Sequence, residues 1–184
     1  MFVHAYVDES YDLTIGVYIL TASIVDLADA EDIRCTLRDL HTGHGKLHWY
    51  KSDSEHRDYL AKGVGALDIR HVSVVGHGHS LRPERARRKC MEVLLASLES
   101  INVRVVVLEA RQGRNDRHDI DLIDASRRKK LISRLQAMFV GGNDEPLLWL
   151  ADIACGSVLA AERGIGQYLT QFGDTARVHR IEAT

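Results

Sequence analysis

The 184-residue sequence lacks the features that would place it among membrane, secreted or disulfide-rich proteins. It has no apolar run long enough to span a bilayer, and its apolar N-terminal segment has no basic leader and no cleavage site. Its three cysteines are odd in number and form no CxxC pair, which favours reduced thiols in a cytoplasmic protein. With two prolines and no Ser/Gly/Pro-rich linker, the chain is predicted to form a single domain over residues 1–184.

A strong net charge is also missing. The formal net charge is -2, so no global basic field indicates nucleic-acid binding. The charges are nevertheless uneven, because segments 81–89 and 126–134 are basic whereas segments 28–32 and 116–124 are acidic. Net charge alone therefore does not exclude an anionic partner.

Several familiar catalytic motifs are absent as well. The ten histidines include clusters in 41–48 and 77–79, but there is no HExxH motif and no cysteine lies near either cluster. Ser10 and Ser80 lie outside any GxSxG motif, and the glycines lack the spacing of a dinucleotide site or a P-loop. Zinc, serine-hydrolase and nucleotide-loop chemistry are all disfavoured.

Hydrophobic periodicity indicates alternating strands and helices. Strands are predicted at 2–8, 69–78 and 102–110, with one bent strand or two short ones at 14–25 and a short edge strand within 173–184. Helices are predicted at 26–43, 54–67, 83–100, 120–139 and 145–164, with a short strand or extended loop at 46–51 and a polar loop at 111–119. This order predicts an α/β domain with a mixed sheet and helices on both faces.

Acidic residues stand where apolar ones would be expected. Asp8 and Glu9 end the first strand, Glu109 ends a run of valines and a leucine, and Asp152 interrupts an apolar helix. A buried carboxylate is costly unless it is paired, hydrogen-bonded or bound to a metal. Alternatives remain open, since Asp8 suits a turn, Glu109 could pair with an arginine such as Arg111, and Asp152 could lie on the exposed side of its helix.

Strand ends at one edge of an α/β sheet commonly form a site, so Asp8, Glu109 and Asp152 are predicted to converge. Three such carboxylates would repel one another without a cation, and ligation by oxygen alone favours Mg²⁺ or Mn²⁺. Two ions about 4 Å apart can activate water and stabilise the leaving oxygen in phosphodiester hydrolysis. These three residues are therefore the predicted metal ligands.

Basic residues could hold the phosphates of a substrate. If 120–139 is one helix, Arg127, Lys130 and Arg134 share a face, and Arg127 and Lys130 are predicted to position a nucleic-acid backbone. His48 is a candidate to donate to a phosphate or shuttle a proton, with Trp49 and Tyr50 beside it for base stacking. The alternative is that both sets lie on ordinary solvated surfaces.

The motifs "VDES" (7–10) and "LLWLADIACG" (147–156), with "KLHW", "ERARRKC" and "VLEAR" between them, resemble a bacterial and phage family of domains of unknown function, numbered thirty-eight hundred. The resemblance spans nearly the whole chain. It implies a ribonuclease-H-like fold and a metal-dependent nuclease site with Asp8, Glu109 and Asp152, which Glu9 assists. One departure is that many members carry an acid where this chain has Lys46.

The combined prediction is a ribonuclease-H-like α/β domain that acts as a Mg²⁺- or Mn²⁺-dependent nuclease on RNA or DNA. Its predicted catalytic residues are Asp8, Glu9, His48, Glu109 and Asp152. The alternative is a binding module on the same fold, without catalysis, for nucleic acid, a nucleotide or a protein. Neither alternative involves a membrane.

Overall fold

A computed structural model describes residues 2–41, 43, 45–111 and 113–184, and its centre is a six-stranded mixed sheet. The strands are β1 (Val3–Asp12), β2 (Val17–Asp26), β3 (Arg70–His77), β4 (Val105–Glu109), β5 (Gln136–Val140) and β6 (Ala176–Glu182). They lie in the order β5-β4-β1-β2-β3-β6. The β1–β2 and β2–β3 pairs are antiparallel, whereas β4 runs parallel to β1, β5 parallel to β4 and β6 parallel to β3.

Helices cover both faces of this sheet, as the sequence predicted. They are α1 (Ala30–Leu40), α2 (Ser54–Gly65), α3 (Pro83–Ser100), α4 (Gly113–Arg128), α5 (Leu147–Glu162) and the short α6 (Gln167–Thr170), with 3-10 turns at Trp49–Lys51 and Gly173–Thr175. Helices α3 and α4 share one hydrophobic core with the sheet. Helices α1, α2, α5 and α6 share the other core, on the opposite face.

The pleat of β1 decides which face each of its side chains reaches, because successive side chains in a strand point to opposite sides. Ala5 and Val7 pack in the core beside α3, whereas Tyr6 packs in the core beside α5. Asp8 therefore points towards α5 and Glu9 towards α3. The hairpin expected after β1 is present, and Gly16 in its turn has the left-handed φ of +67° that glycine tolerates best.

Helix α5 is the central helix of the fold. Every residue from Leu147 to Ala160 is buried, and the helix packs on β1 and β2. A helix that is apolar on all sides is stable only when protein surrounds it. Asp152 lies in the middle of this buried segment, so the alternative of an exposed Asp152 is wrong.

The predicted helix at 120–139 is wrong in its second half. Helix α4 begins earlier, at Gly113 inside the predicted polar loop, and ends at Arg128. Lys130 then adopts a left-handed φ of +59°, which terminates the helix, and residues 136–140 form β5 beside β4. The segment 46–51 is neither a strand nor an extended loop throughout, because Trp49–Lys51 is a 3-10 turn.

Candidate functional site

Asp8 and Glu109 lie next to each other where β4 ends beside the middle of β1. Strand β1 continues to Asp12, so the prediction that Asp8 and Glu9 end the first strand is wrong. The register between β1 and β4 pairs Val7 with Leu108, so the following positions on each strand are Asp8 and Glu109. Val7 and Leu108 both pack beside α3, and the pleat therefore turns both acids towards α5. The structure brings these two predicted residues together at one edge of the sheet.

Asp152 approaches the same place from α5. Its side chain is 8% exposed, and its Oδ2 accepts a hydrogen bond of 3.0 Å from the backbone N–H of Trp49. Burial is the main cause that raises the pKa of Asp8 to about 7, and the charge of Asp152 is the next. Burial likewise raises the pKa of Asp152, and the charge of Glu109 adds to the effect. The three predicted ligands therefore interact electrostatically, and Asp8 and Asp152 do so where solvent is largely excluded.

Lys46 lies among these carboxylates. Its Nζ is 3.4 Å from Asp8 Oδ2 and also donates a hydrogen bond to Glu109 Oε2, and its side chain is 11% exposed. Burial lowers the pKa of the Lys46 ammonium, but the charges of Asp8 and Glu109 outweigh this effect, so the pKa is raised. Glu109 thus pairs with Lys46 rather than with Arg111, which binds Glu84 and Asp119.

The residues around Lys46 fix its position. Its backbone N–H donates to Asn143 Oδ1 over 2.9 Å. Gly142 leaves room for its side chain, since a Cβ there would lie 2.8 Å from Lys46 Cδ and would also collide with Glu109. The sequence prediction did not include Lys46 in the site; the only signal was its place where many members of the resembling family carry an acid.

Glu9 belongs to a different group of charges, on the α3 face. It accepts hydrogen bonds from the Tyr18 hydroxyl and from Arg87. Arg87 also makes a bidentate pair with Asp119, with distances of 2.9 and 2.8 Å, and both partners are almost fully buried. The structure therefore does not place Glu9 with Asp8 as a ligand. Glu9 and Arg87 instead reach the site only as part of the wall of a cleft of about 210 Å³ that Asp8 and Glu109 also line.

His48 lies at the rim of the site. It lines a cleft of about 320 Å³ together with Lys46, Lys51 and His56. Burial and the charges of Lys46 and Lys51 lower the pKa of His48, so its imidazole is neutral at pH 7. Its ring lies 5.4 Å from that of Tyr50, which is exposed, whereas Trp49 is buried and cannot stack on a base.

Arg127 and Lys130 are not at this site. Arg127 bonds Asp124 and the carbonyl of Leu135, directly before β5 begins. Glu109 is level with Val140 at the other end of β5, about 13 Å further along the strand at about 3.3 Å per residue. Lys130 lies in the turn after α4 and shares no helical face with Arg127. The predicted phosphate contacts therefore lie near the start of β5, at the opposite end of that strand from Glu109.

The donor types at the site suit Mg²⁺ or Mn²⁺, because they are carboxylate oxygens that share a buried place with a single ammonium. In the side-chain positions of residues 2–41, 43, 45–111 and 113–184, no group of three or more His, Cys, Asp or Glu is placed to hold an ion. The Lys46 ammonium bonds both Asp8 and Glu109 there. Over the same described residues, no helix has both the length and the apolarity that a membrane crossing requires.

Comparisons with known proteins bear on the fold. A scan against protein-family models found no match, and a search of curated proteins found none. The chain is similar to a chain in the solved structure of the PCNA:RNase HII complex from Archaeoglobus fulgidus, with 16% identity and a TM-score of 0.56. The match covers 94% of this chain and 79% of that one. Together with the mixed sheet and its two helical layers, this similarity shows that the chain has the ribonuclease-H-like α/β fold.

Proposed function

We propose that the protein hydrolyses phosphodiester bonds of RNA or DNA, with Mg²⁺ or Mn²⁺ held by Asp8, Glu109 and Asp152. The observation that carries this proposal is the meeting of three carboxylates, of which Asp8 and Asp152 are poorly solvated, with one ammonium where β4 ends beside β1. Such an arrangement stabilises the fold poorly without a further cation, because burial favours neutral carboxyl groups. The ribonuclease-H-like fold and the resemblance to the family numbered thirty-eight hundred support the same activity.

A divalent ion bound here would lower the pKa of a bound water and offset charge on the leaving oxygen. The chain's own residues would complete the reaction. The neutral imidazole of His48, at the rim beside Lys46, could accept a proton from the attacking water, and the imidazolium so formed could pass that proton to the leaving oxygen. The buried face of α5 keeps water away from Asp152 and so strengthens every charge interaction around it.

One observation favours a second candidate, a module that binds nucleic acid without cleaving it. Lys46 already offsets part of the charge of Asp8 and Glu109, and a site that needs no metal would have such a cation. In either case we place the protein in the cytoplasm, which the buried free thiols of Cys90 and Cys155 support.

A cleavage screen distinguishes the two candidates. Single- and double-stranded DNA, single-stranded RNA and RNA–DNA hybrids are incubated with the protein and EDTA, Mg²⁺ or Mn²⁺. We expect cleavage that needs the metal, is abolished in Asp152→Asn and persists in Asp39→Asn, a matched change at an exposed position of α1. Binding of nucleic acid without cleavage under every condition would favour the non-catalytic module.

A further inference from the structure

We infer that Lys46 is a permanent cation of the site, so that the protein takes one divalent ion beside the lysine ammonium instead of a pair of ions. The inference rests on the proposed function and specifies its metal requirement. The two ideas fail under different results, because the number of ions bound is measured without any substrate.

The first support is that the position of Lys46 is built rather than accidental. The backbone is anchored to Asn143, and the side chain passes beside Gly142, where a Cβ would leave no room for it. The ammonium bonds both Asp8 and Glu109 and is almost removed from solvent. A surface lysine that happened to reach an acidic cleft would have neither the anchor nor the glycine.

The second support is the number of charges. Asp8, Glu109 and Asp152 carry three negative charges when ionised, and Lys46 cancels one of them. One divalent ion cancels the remaining two, whereas two divalent ions would leave an excess positive charge in a poorly solvated place. Glu9 does not alter this count, because Arg87 already pairs with it on the other face of the sheet.

The third support is how the carboxylate oxygens are used. The Lys46 ammonium donates a hydrogen bond to Glu109 Oε2, whereas Asp152 accepts its hydrogen bond from the neutral backbone N–H of Trp49. The ammonium contacts Glu109 more closely than Asp8, whose Oδ2 is 3.4 Å away, so Lys46 holds Asp8 and Asp152 less tightly than it holds Glu109. An ion is therefore expected to draw its ligands mainly from Asp8 and Asp152, with Lys46 remaining at Glu109.

This division gives the two cations different tasks. Activation of water needs a divalent ion, because an ammonium has no open coordination position for a water molecule. An ammonium can still attract a phosphate oxygen as a point charge, and Lys46 is well placed for that beside the cleft that His48 lines. Lys46 would then be a substrate-contacting residue in a reaction that uses a single ion.

The experiment measures Mn²⁺ bound per chain by equilibrium dialysis and the type of Mn²⁺ signal by electron paramagnetic resonance. The variants are wild type, Lys46→Met, Lys46→Arg, which keeps the positive charge, and Lys62→Met, a control on the exposed surface of α2. We expect one ion and an uncoupled six-line signal in wild type, Lys46→Arg and Lys62→Met. We expect a second ion in Lys46→Met, with a spin-coupled signal.

Two ions in the wild type, together with metal-dependent cleavage, would overturn the inference and leave the proposed function standing. One ion in both wild type and a folded Lys46→Met would also overturn it, because the lysine would then occupy no ion position. If the wild type binds no Mn²⁺ at millimolar concentration and cleaves nothing, the proposed function fails, and the inference fails with it. A wild-type count of two ions overturns the inference even if Lys46→Met does not fold.

Discussion

Replacing Asp8 by Asn tests the electrostatic account of the site in the absence of any metal. The pKa of Asp8 is raised from 3.8 to about 7 in the folded protein, chiefly by burial and by the charge of Asp152. Between these two values the folded chain holds a proton that the unfolded chain releases. The free energy of unfolding therefore decreases as pH rises from 4 to 7, and the loss is complete above pH 7.

The size of the effect follows from the same two values. Moving a carboxyl pKa from 3.8 to about 7 corresponds to roughly 4 kcal/mol of unfolding free energy. Asn has nearly the shape of protonated Asp, so Asp8→Asn removes this cost at pH 8 but also removes a partner of Lys46. We expect Asp8→Asn to exceed wild type in stability by about 1–2 kcal/mol at pH 8 and to match it at pH 4.5.

The assay is urea unfolding with EDTA at both pH values, and each variant is compared with wild type at the same pH. Using that difference removes the contribution of other groups, such as the buried His71, whose pKa is lowered to about 3. Asp39→Asn is the matched control and should show no difference that depends on pH. If Asp8→Asn is destabilised by the same amount at pH 4.5 and pH 8, the carboxyl of Asp8 stabilises the fold at both pH values. Repulsion between the carboxylates then does not lower the stability of the wild type.

Three further changes follow from the structure. Asp152→Asn should keep or raise the melting temperature in EDTA, because Asn can still accept the hydrogen bond from Trp49 N–H. It should lose most of the stabilisation by Mn²⁺, because an amide binds metal weakly. A thermal melt in which the variant responds to Mn²⁺ as wild type does would contradict this. Arg87→Met should cost about 2–3 kcal/mol in urea unfolding at pH 7, because buried Asp119 loses its bidentate partner and keeps only Arg111. A cost below about 1 kcal/mol would show that Arg111 alone compensates the charge of Asp119. Changing Arg127 and Lys130 together to Ala should leave the salt dependence of nucleic-acid binding unchanged, because both lie away from the site. The measurement is the slope of log K against log salt concentration in a binding titration. A slope reduced by about one per residue would show that both residues contact the phosphates.

The sequence predicted those parts of the molecule where pattern and burial agree. The apolar run that ends at Glu109 can only be a buried strand, and the acid in the apolar helix around Asp152 needs a partner or a metal wherever that helix packs. The ribonuclease-H-like resemblance implied a mixed sheet with helices on both faces, and the six-stranded mixed sheet confirms that fold class. The end of the sheet at which the acids meet depends on the direction of each strand. The alternating order of strands and helices also constrains those directions.

The parts that were missed depend on contacts distant in sequence. The segment 136–140 is a short apolar run with no distinctive period, and only pairing with β4 makes it a strand. Because the pattern did not reveal β5, the sequence predicted one helix over 120–139 that carried both Arg127 and Lys130. Lys46 is a single residue in a loop, and nothing local shows that Asn143 and Gly142 direct it into the acids.

The pleat of β1 separates two acids that are adjacent in the chain, and this has a consequence for how the sequence can vary. Asp8 shares its surroundings with Lys46, whereas Glu9 shares its surroundings with Arg87. Substitutions among related sequences should therefore covary as two independent groups, although the two acids are neighbours in every alignment. A relative that loses Arg87 should change Glu9 and retain Asp8, and one that replaces Lys46 by an acid should retain both Glu9 and Arg87.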